Sequence, residues 1–158
     1  MSRKLKLRRK AAILGAVLAA LAAVAVAAPG ADARVRPFLL VEHGTARFDS
    51  PTSISSTGSG VATYLGRFTL QRSATLYDPR GSVSQVDGEA RLTTADGEEL
   101  DASIEGTFDA ATGKGRLFYE WEGGTGRFAH ATGTTIWQVT LKRDDLTYSV
   151  FAYGVIDL

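Results

Sequence analysis

The chain of 158 residues is predicted to contain an all-β domain of roughly eight short antiparallel strands, and three observations indicate this fold class. Several segments alternate apolar and polar side chains with a period of two, as strands with one buried face do. Glycine-rich turns separate these segments, above all residues 123–133 (GGTGRFAHATG). Beyond residue 33, no segment of ten or more residues keeps the apolar period of a helix. Periodicity alone leaves both a barrel and a sandwich open.

Residues 1–33 are predicted to be a secretory signal peptide. Residues 2–10 carry six cations, and the following residues 11–28 carry no charge. The small-residue sequence Ala31-Asp32-Ala33 then provides a cleavage site. We therefore expect a domain at 34–158 that is secreted or periplasmic after cleavage near Ala33, with membrane contact only through the leader before cleavage. A retained anchor is the alternative, since 18 apolar residues are at the lower limit for a membrane span.

The composition of the predicted mature chain excludes several classes of function. The full chain has 18 basic and 17 acidic residues, of which the leader holds six and one, so residues 34–158 keep 12 and 16 and a net charge of −4. An acidic domain argues against nucleic acid, which needs clustered cations. The chain has no cysteine. Disulfides, a cysteine-based zinc site and a thiol nucleophile are therefore excluded.

The strands are predicted from alternation and from turn residues, in chain order. Residues 34–41 are expected to be an entry segment or edge strand, because Pro37 cannot donate to a β-ladder. A short strand is expected at 45–48, and the Ser/Thr/Gly-rich residues 50–60 are expected to be a loop. The clearest hairpin places Asp96-Gly97 in a type I′ turn between two alternating segments. The strands and turns expected elsewhere are a strand at 61–70, a turn at 78–81, the hairpin strands 89–95 and 98–108, a turn at 113–115, and strands at 116–122, 134–142 and 146–158.

Four stretches of sequence together resemble a known family. They are residues 60–69 (GVATYLGRFT), 93–108 (TTADGEELDASIEGTF), 123–133 and the closing 153–157 (YGVID). In this order they resemble the bacterial exported allene oxide cyclase barrel-like domains, over about residues 45 to 158. The resemblance implies a single antiparallel eight-stranded β-barrel, distantly similar to plant allene oxide cyclases and dirigent proteins. Tyr64 and His130 stand where the family more often has histidine and glycine, so a role for a histidine at position 64 is not carried over. The catalytic residues of the plant enzymes do not align with positions of this chain, so none is transferred.

Two functions follow as hypotheses. An eight-stranded barrel has an interior that is either filled or large enough for one small ligand. Binding of a small hydrophobic ligand, or a structural role, is expected from the aromatic residues on the strands, and the predicted ligand-binding residues are Tyr119, Trp121, Trp137 and Tyr153. The alternative is a cyclase or isomerase acting on a hydrophobic substrate in the lumen, as the resemblance implies. A lumen with a buried carboxylate or tyrosine favours the enzyme, and one packed with Leu, Ile and Phe favours a structural role.

The central glycine run has a structural and a functional interpretation. Residues 124–129 match the G-x-G-x-x-A pattern, but dinucleotide binding requires a following helix in a βαβ unit, and a strand is expected instead. Phe128 is expected to close one barrel end, and Arg127 to pair with a carboxylate. The residues predicted to form this structural turn are Gly124, Gly126, Arg127, Phe128 and Gly133.

The remaining polar residues point to no cofactor. His43 and His130 show no metal-ligand spacing and are expected in exposed loops, so no metal site is predicted. Weak calcium binding at the acidic turns is the alternative to plain solvation. Glu120 and Glu122 are expected on the outer face, although a lumen position would make them candidate acids or bases. The segment 146–158 is apolar on both faces, which suggests a homo-oligomer.

Overall fold

The computed structural model describes residues 35–78 and 81–158. The predicted leader and cleavage site lie outside the described residues, as do positions 79 and 80 of the turn expected at 78–81. The eight strands are β1 (Val35–Ser50), β2 (Ser53–Ala62), β3 (Gly66–Tyr77), β4 (Val83–Thr94), β5 (Glu99–Asp109), β6 (Lys114–Gly124), β7 (Thr134–Leu141) and β8 (Thr147–Asp157).

The eight strands form a closed barrel in which each strand pairs with the next and β1 pairs with β8. Every one of these pairs is antiparallel. The predicted all-β fold and eight-stranded barrel are therefore confirmed, and the sandwich is excluded. The described part of the chain contains no helix long and apolar enough to cross a membrane. A 3-10 turn at Gly126–Phe128 stands between β6 and β7, so the dinucleotide-binding interpretation of this run is excluded.

The first two strands correct the sequence prediction. β1 is one continuous strand of 16 residues, rather than an entry segment followed by a short strand. Pro37 is accommodated near its exposed start, where a missing backbone donor is tolerated. Residues 53–62 form β2 and are not a loop. The small residues of β2 provide space in the lumen: a Cβ atom at Gly58 would collide with the side chains of Glu42 and Tyr148.

The hairpin of β4 and β5 is confirmed, but its turn is not type I′. That turn requires positive φ at both central residues. Within this fully described turn, Gly97 has φ of 87°, whereas Asp96 lies outside the positive region. The Gly97 amide donates to the Thr94 carbonyl at 3.0 Å. A type I turn followed by a left-handed glycine therefore connects the strands, because only glycine meets that conformation without strain.

The two ends of the barrel are packed differently. At the end where β6 leads into β7, the lumen is filled by fully buried apolar side chains, among them Phe38, Leu92, Leu100 and Phe128. Phe128 comes from the central glycine run and covers this end. Arg127 beside it lies with its Nε 3.0 Å from Glu98 Oε2. The opposite end, formed by the end of β1 and the start of β2 and β8, is filled less completely and contains a cavity.

Gly126→Val is expected to lower the free energy of unfolding by roughly 1–3 kcal/mol. Gly126 has φ of 54°, a conformation that β-branched residues resist, and a Cβ atom there would collide with the Glu98 side chain. Denaturant unfolding of both proteins measures the loss. Gly81→Val is the control, since the nearest atom to a Cβ at that position is 3.6 Å away. An unchanged melting temperature for Gly126→Val would show that this glycine serves something other than folding.

The outer wall carries an exposed apolar patch on β8, β1 and β2. Leu39, Val41, Val61 and Phe151 each expose about half of their surface, at 51%, 55%, 52% and 47%. They are neighbours, because Val41 stands opposite both Val61 and Phe151 in the strand register. Exposed apolar patches of this kind occur at protein contacts. The homo-oligomer stays a prediction.

Candidate functional site

The more open end of the barrel contains a cavity of about 70 Å³. Its wall is apolar except at one place, where Ser56, Arg72 and Tyr148 come together. Roughly five water molecules would fill this volume. The apolar part of the wall comes from seven strands and consists of Ala46, Ile54, Ala74, Leu76, Val86, Phe108, Leu117, Val139 and Leu141.

Arg72 of β3 points into the lumen and forms a buried ion pair with Glu42 of β1. Its Nη2 atom donates to both carboxylate oxygens of Glu42, at 3.0 Å and 3.3 Å. The Glu42 side chain is 0% exposed and that of Arg72 8%. Glu42 therefore lies behind the cavity wall, and Arg72 lies between it and the cavity. Such pairs pay a large desolvation cost, which makes this one a candidate functional feature rather than a source of stability.

Tyr148 of β8 completes the polar group. Its hydroxyl donates a hydrogen bond to Glu42 Oε1, and the Ser56 hydroxyl lies beside it. The ring of Tyr148 is 5.2 Å from Arg72 Cζ. Glycines make this arrangement possible, since a Cβ atom at either Gly44 or Gly58 would collide with the Tyr148 hydroxyl. We refer to Glu42, Arg72 and Tyr148 as the lumen polar cluster.

Aromatic rings surround Arg72 on the side away from the mouth. Tyr119 and Trp137 are stacked with centroids 3.9 Å apart and an interplanar angle of 7°. Arg72 Cζ lies 5.9 Å and 5.6 Å from the centroids of these two rings. A guanidinium over desolvated rings gains a cation–π contribution. Trp121 packs edge-on against both rings and beside Phe38, so the aromatic group connects the polar cluster to the filled end.

Three buried polar atoms in this region have no hydrogen-bond partner among the described residues. They are Arg72 Nε, the Tyr119 hydroxyl and Trp121 Nε1. Buried polar atoms are nearly always hydrogen-bonded in folded proteins, because desolvating them without a partner is costly. Trp137 is satisfied, since its Nε1 donates to Thr135 Oγ1 at 2.7 Å. Of these three residues, Arg72 lines the cavity, so a polar ligand atom or a water there could accept a hydrogen bond from it.

The electrostatics of the cluster depend on burial. Desolvation raises the pKa of Glu42 above its ordinary value of 4.5, partly offset by the positive charge of Arg72 and the hydrogen bond from Tyr148. Burial likewise raises the pKa values of Tyr119 and Tyr148, so both stay neutral. Arg72 stays charged, because a guanidinium does not lose its proton in proteins. Glu42 is therefore the group of the cluster whose proton affinity burial raises while its neighbours keep a fixed protonation state.

The free energy of unfolding is expected to fall as pH rises above 4.5, the ordinary pKa of a glutamate carboxyl, because the pKa of Glu42 is raised in the folded protein. A raised pKa means that the folded state binds the proton more tightly than the unfolded state. Its contribution is therefore complete below the unfolded pKa and is lost as pH rises through the folded pKa. Urea unfolding from about pH 5 to about pH 8 measures this loss.

Glu42→Gln should remove that component of the pH dependence, whereas Glu120→Gln on the outer face should retain it. Three aspartates with shifted pKa values, Asp96, Asp109 and Asp145, do not contribute to the pH dependence between about pH 5 and about pH 8. Hydrogen bonds lower their pKa values below 3.8, outside the window of measurement. Identical pH profiles for wild type and Glu42→Gln would contradict the assignment.

The structure separates the predicted ligand-binding aromatic residues. Tyr119, Trp121 and Trp137 point into the lumen and are at most 2% exposed, so they fill it below the cavity rather than line the cavity. The lumen position expected for Tyr153 is wrong. Tyr153 lies half-buried on the outer wall against Phe151, because its neighbours Ala152 and Gly154 take the inward positions of β8.

The charged candidates lie outside the lumen. Glu120 and Glu122 are exposed on the outer face of β6, opposite the inward Tyr119 and Trp121. His43 and His130 are also exposed. Within residues 35–78 and 81–158, no group of three histidines or carboxylates could hold a metal ion. Among the described residues, these placements leave the lumen polar cluster as the candidate site.

The sequence prediction missed all three residues of the cluster, although a signal was present. Glu42 follows Phe38 and Leu40 at inward positions of β1, and Arg72 stands between the inward Leu70 and Ala74 of β3. A charged residue at an inward position of a strand whose other inward residues are apolar indicates a functional site, or else that the wrong face of the strand was assigned to the core. Glu42 lies between the segments expected at 34–41 and 45–48, and Arg72 lies just beyond the strand expected at 61–70, so the alternation predicted from the sequence includes neither residue.

Comparison with known proteins identifies the fold and leaves the family open. No protein-family model matches the chain, and no curated protein matches it in sequence. A solved structure described as a nonspecific heme-binding cyclase, which catalyses a (4 + 2) cycloaddition during neoabyssomicin biosynthesis, is similar with a TM-score of 0.56. The two are 18% identical, and the match covers 94% of this chain and 76% of that one. This similarity shows a shared barrel fold. The allene oxide cyclase and dirigent relationship stays a hypothesis.

Proposed function

We propose that the barrel is a cyclase or isomerase that binds a small hydrophobic substrate in the cavity at its more open end. The observation that carries this proposal is the buried ion pair of Arg72 and Glu42 beneath an apolar wall. A purely structural barrel would be better stabilised by apolar side chains at these two positions. Perturbed ionisable groups in a cavity are typical of sites that do chemistry. The shared fold with a cyclase is consistent with this reaction class.

The proposed chemistry needs only positioning and polarisation. The apolar wall would hold a flexible chain in a folded conformation, which lowers the entropic part of the barrier. Arg72 would donate hydrogen bonds to a substrate oxygen, and Tyr148 would join it by turning its hydroxyl from Glu42 to that oxygen. Both donors would stabilise negative charge that develops on the oxygen in the transition state. These donors act in a site with little water, where they are stronger than in solution. Cyclisation and isomerisation are the reactions that such a site can promote without a cofactor.

Haem enters no step of this proposal. Haem binding is a property of the similar solved structure. A porphyrin is far larger than a cavity of about 70 Å³. Among the described residues, His43 and His130 are exposed on the exterior, so neither faces this cavity. The residues present in the lumen therefore do not fit a haem group.

Binding without catalysis is the second candidate function, and the size of the cavity favours it. Space for roughly five water molecules suits a short chain or a small ring rather than a long substrate. A larger substrate would have to extend through the mouth, past the half-buried side chains of Ile54 and Phe108. The export expected from residues 1–33 is compatible with either function.

The experiment that tests the proposal compares two phenylalanine substitutions on β3. Ala74→Phe should fill the cavity, whereas Thr75→Phe adds the same side chain on the exterior. Methyl pentyl ketone is expected to change the tryptophan fluorescence of wild type and Thr75→Phe but not of Ala74→Phe. If the ketone binds Ala74→Phe equally well, the cavity is not the site.

Catalysis is then tested with a panel of unsaturated linear ketones. Cyclisation and isomerisation leave the mass unchanged, so products are detected as new chromatographic peaks of the same mass. We expect Tyr148→Phe to lower their rate of formation by about 10- to 1,000-fold, as loss of an oxyanion donor does. Retained ketone binding, with no new peak from wild type, would favour binding without catalysis.

A further inference from the structure

The cavity presents one charge, and that charge is positive. Its three polar lining residues are Ser56, Arg72 and Tyr148, all of which can donate hydrogen bonds. The compensating carboxylate of Glu42 lies behind them and is fully buried. Arg72 uses Nη2 for Glu42, while its buried Nε has no partner among the described residues. A group that enters the cavity therefore meets donors and a cation.

We propose that the ligand of this site is an organic oxyanion, a carboxylate or enolate on an apolar body, and that Glu42 takes up one proton when it binds. This inference rests on the proposed function, because it requires that the cavity accepts a ligand. The oxyanion would accept a hydrogen bond from Arg72. It would also accept one from Tyr148, because protonated Glu42 can donate to the Tyr148 oxygen and so release the Tyr148 proton from their present hydrogen bond. Glu42 then keeps its place behind Arg72 as a neutral carboxylic acid.

The proton uptake follows from the charge balance of the lumen. In the free protein, Arg72 and ionised Glu42 together carry no net charge. An anion that entered beside them would leave one uncompensated negative charge in a desolvated interior, which is costly. When two carboxylates share one cation, the pKa of one of them rises strongly. Protonation of Glu42 restores neutrality, so binding of the anion and binding of the proton favour each other.

Glu42 is the group that accepts this proton because of what faces it. Arg72 approaches it from β3 and Tyr148 from β8, and both keep their protons. Tyr119 on β6 lies beyond Arg72 and stays neutral. His43 follows Glu42 on β1, but its side chain points to the exterior. Burial already holds the pKa of Glu42 above its ordinary value before any ligand arrives.

The test uses hexanoate and hexanamide, which have the same shape and differ in charge. Calorimetric titration of wild type in two buffers with different ionisation enthalpies measures both affinity and the protons taken up. We expect hexanoate to bind about tenfold more tightly than hexanamide, since hydrogen bonds to an ionised acceptor are the stronger ones. Hexanoate binding should take up close to one proton at a pH that lies above the pKa of Glu42 in the free protein and below its raised pKa in the complex.

Glu42→Gln keeps the shape of the side chain and removes the titration. It should bind hexanoate without proton uptake and with an affinity that no longer falls as pH rises. Glu120→Gln on the exterior is the matched control and should behave as wild type.

Equal binding of both probes, or hexanoate binding without proton uptake in wild type, would overturn the inference and leave the proposed cavity function standing. If neither probe binds wild type more tightly than Ala74→Phe, the proposed function fails as well.

Discussion

Replacing Arg72 with methionine is expected to lower the free energy of unfolding at neutral pH by about 3–5 kcal/mol. Methionine keeps the length of the side chain and removes the charge, so Glu42 is left without its cation in a fully buried position. A buried carboxylate without a partner either stays ionised at a high cost or takes up a proton. Urea unfolding followed by far-ultraviolet circular dichroism measures the loss.

The double variant Arg72→Met/Glu42→Gln separates the charge from the packing. It removes both charges, so much of the lost stability should return, because apolar or neutral replacements of a buried ion pair are often close to neutral in effect. Arg91→Met is the control on the exterior. Arg91 pairs with Asp101 at 2.7 Å but is 51% exposed, and we expect a change of about 1 kcal/mol or less. A cost for Arg72→Met no larger than that of the control would show that the lumen pair is solvated.

Trp137→Ala is expected to destabilise the barrel by about 3–5 kcal/mol. Trp137 is fully buried, stacks on Tyr119 and donates to Thr135, so its removal leaves a large void in the centre of the lumen. The surrounding strands are joined in a closed ring and can collapse only partly. Phe151→Ala on the outer wall is the matched control and should cost far less, since Phe151 is already 47% exposed.

The void left by Trp137→Ala should bind indole, which has the shape of the missing side chain. Saturating indole is expected to raise the melting temperature of this variant and leave wild type unchanged, since a ligand stabilises a protein in proportion to its occupancy of the folded state. If the variant loses little stability and its melting temperature does not change with indole, the neighbouring side chains have moved into the space that Trp137 occupied. The stacked rings of Tyr119 and Trp137 would then not be needed to hold the surrounding strands apart.

The fold was predictable wherever side chains alternate strongly. β6 and β7 carry Leu117, Tyr119, Trp137 and Val139 at inward positions, and their apolar period was clear in the sequence. β2 was missed because its central inward positions hold Ser56, Gly58 and Gly60, residue types that are typical of loops. These residues are small because Glu42, Tyr148 and Phe68 need the space, a reason that exists only in the closed barrel.

The site was less predictable than the fold, for a related reason. Glu42 and Tyr148 are separated by 106 positions in sequence and meet only because β1 pairs with β8. No local motif records that contact. The closure that joins the first strand to the last was implied by the family resemblance rather than by periodicity. The inward positions of Glu42 and Arg72 could have been found by following the alternation of β1 and β3, whereas their mutual contact could not.

The most direct test of the lumen polar cluster as a ligand site is the nuclear magnetic resonance signal of the Arg72 Nε–H group. This donor is buried and has no partner among the described residues, so a bound oxygen should change its environment most. On titration of isotope-labelled protein with methyl pentyl ketone, we expect its resonance to shift and saturate, while that of the exposed Arg91 stays in place. Saturable ketone binding that leaves the Arg72 resonance unmoved would contradict the account, because the ligand would then lie away from the cluster.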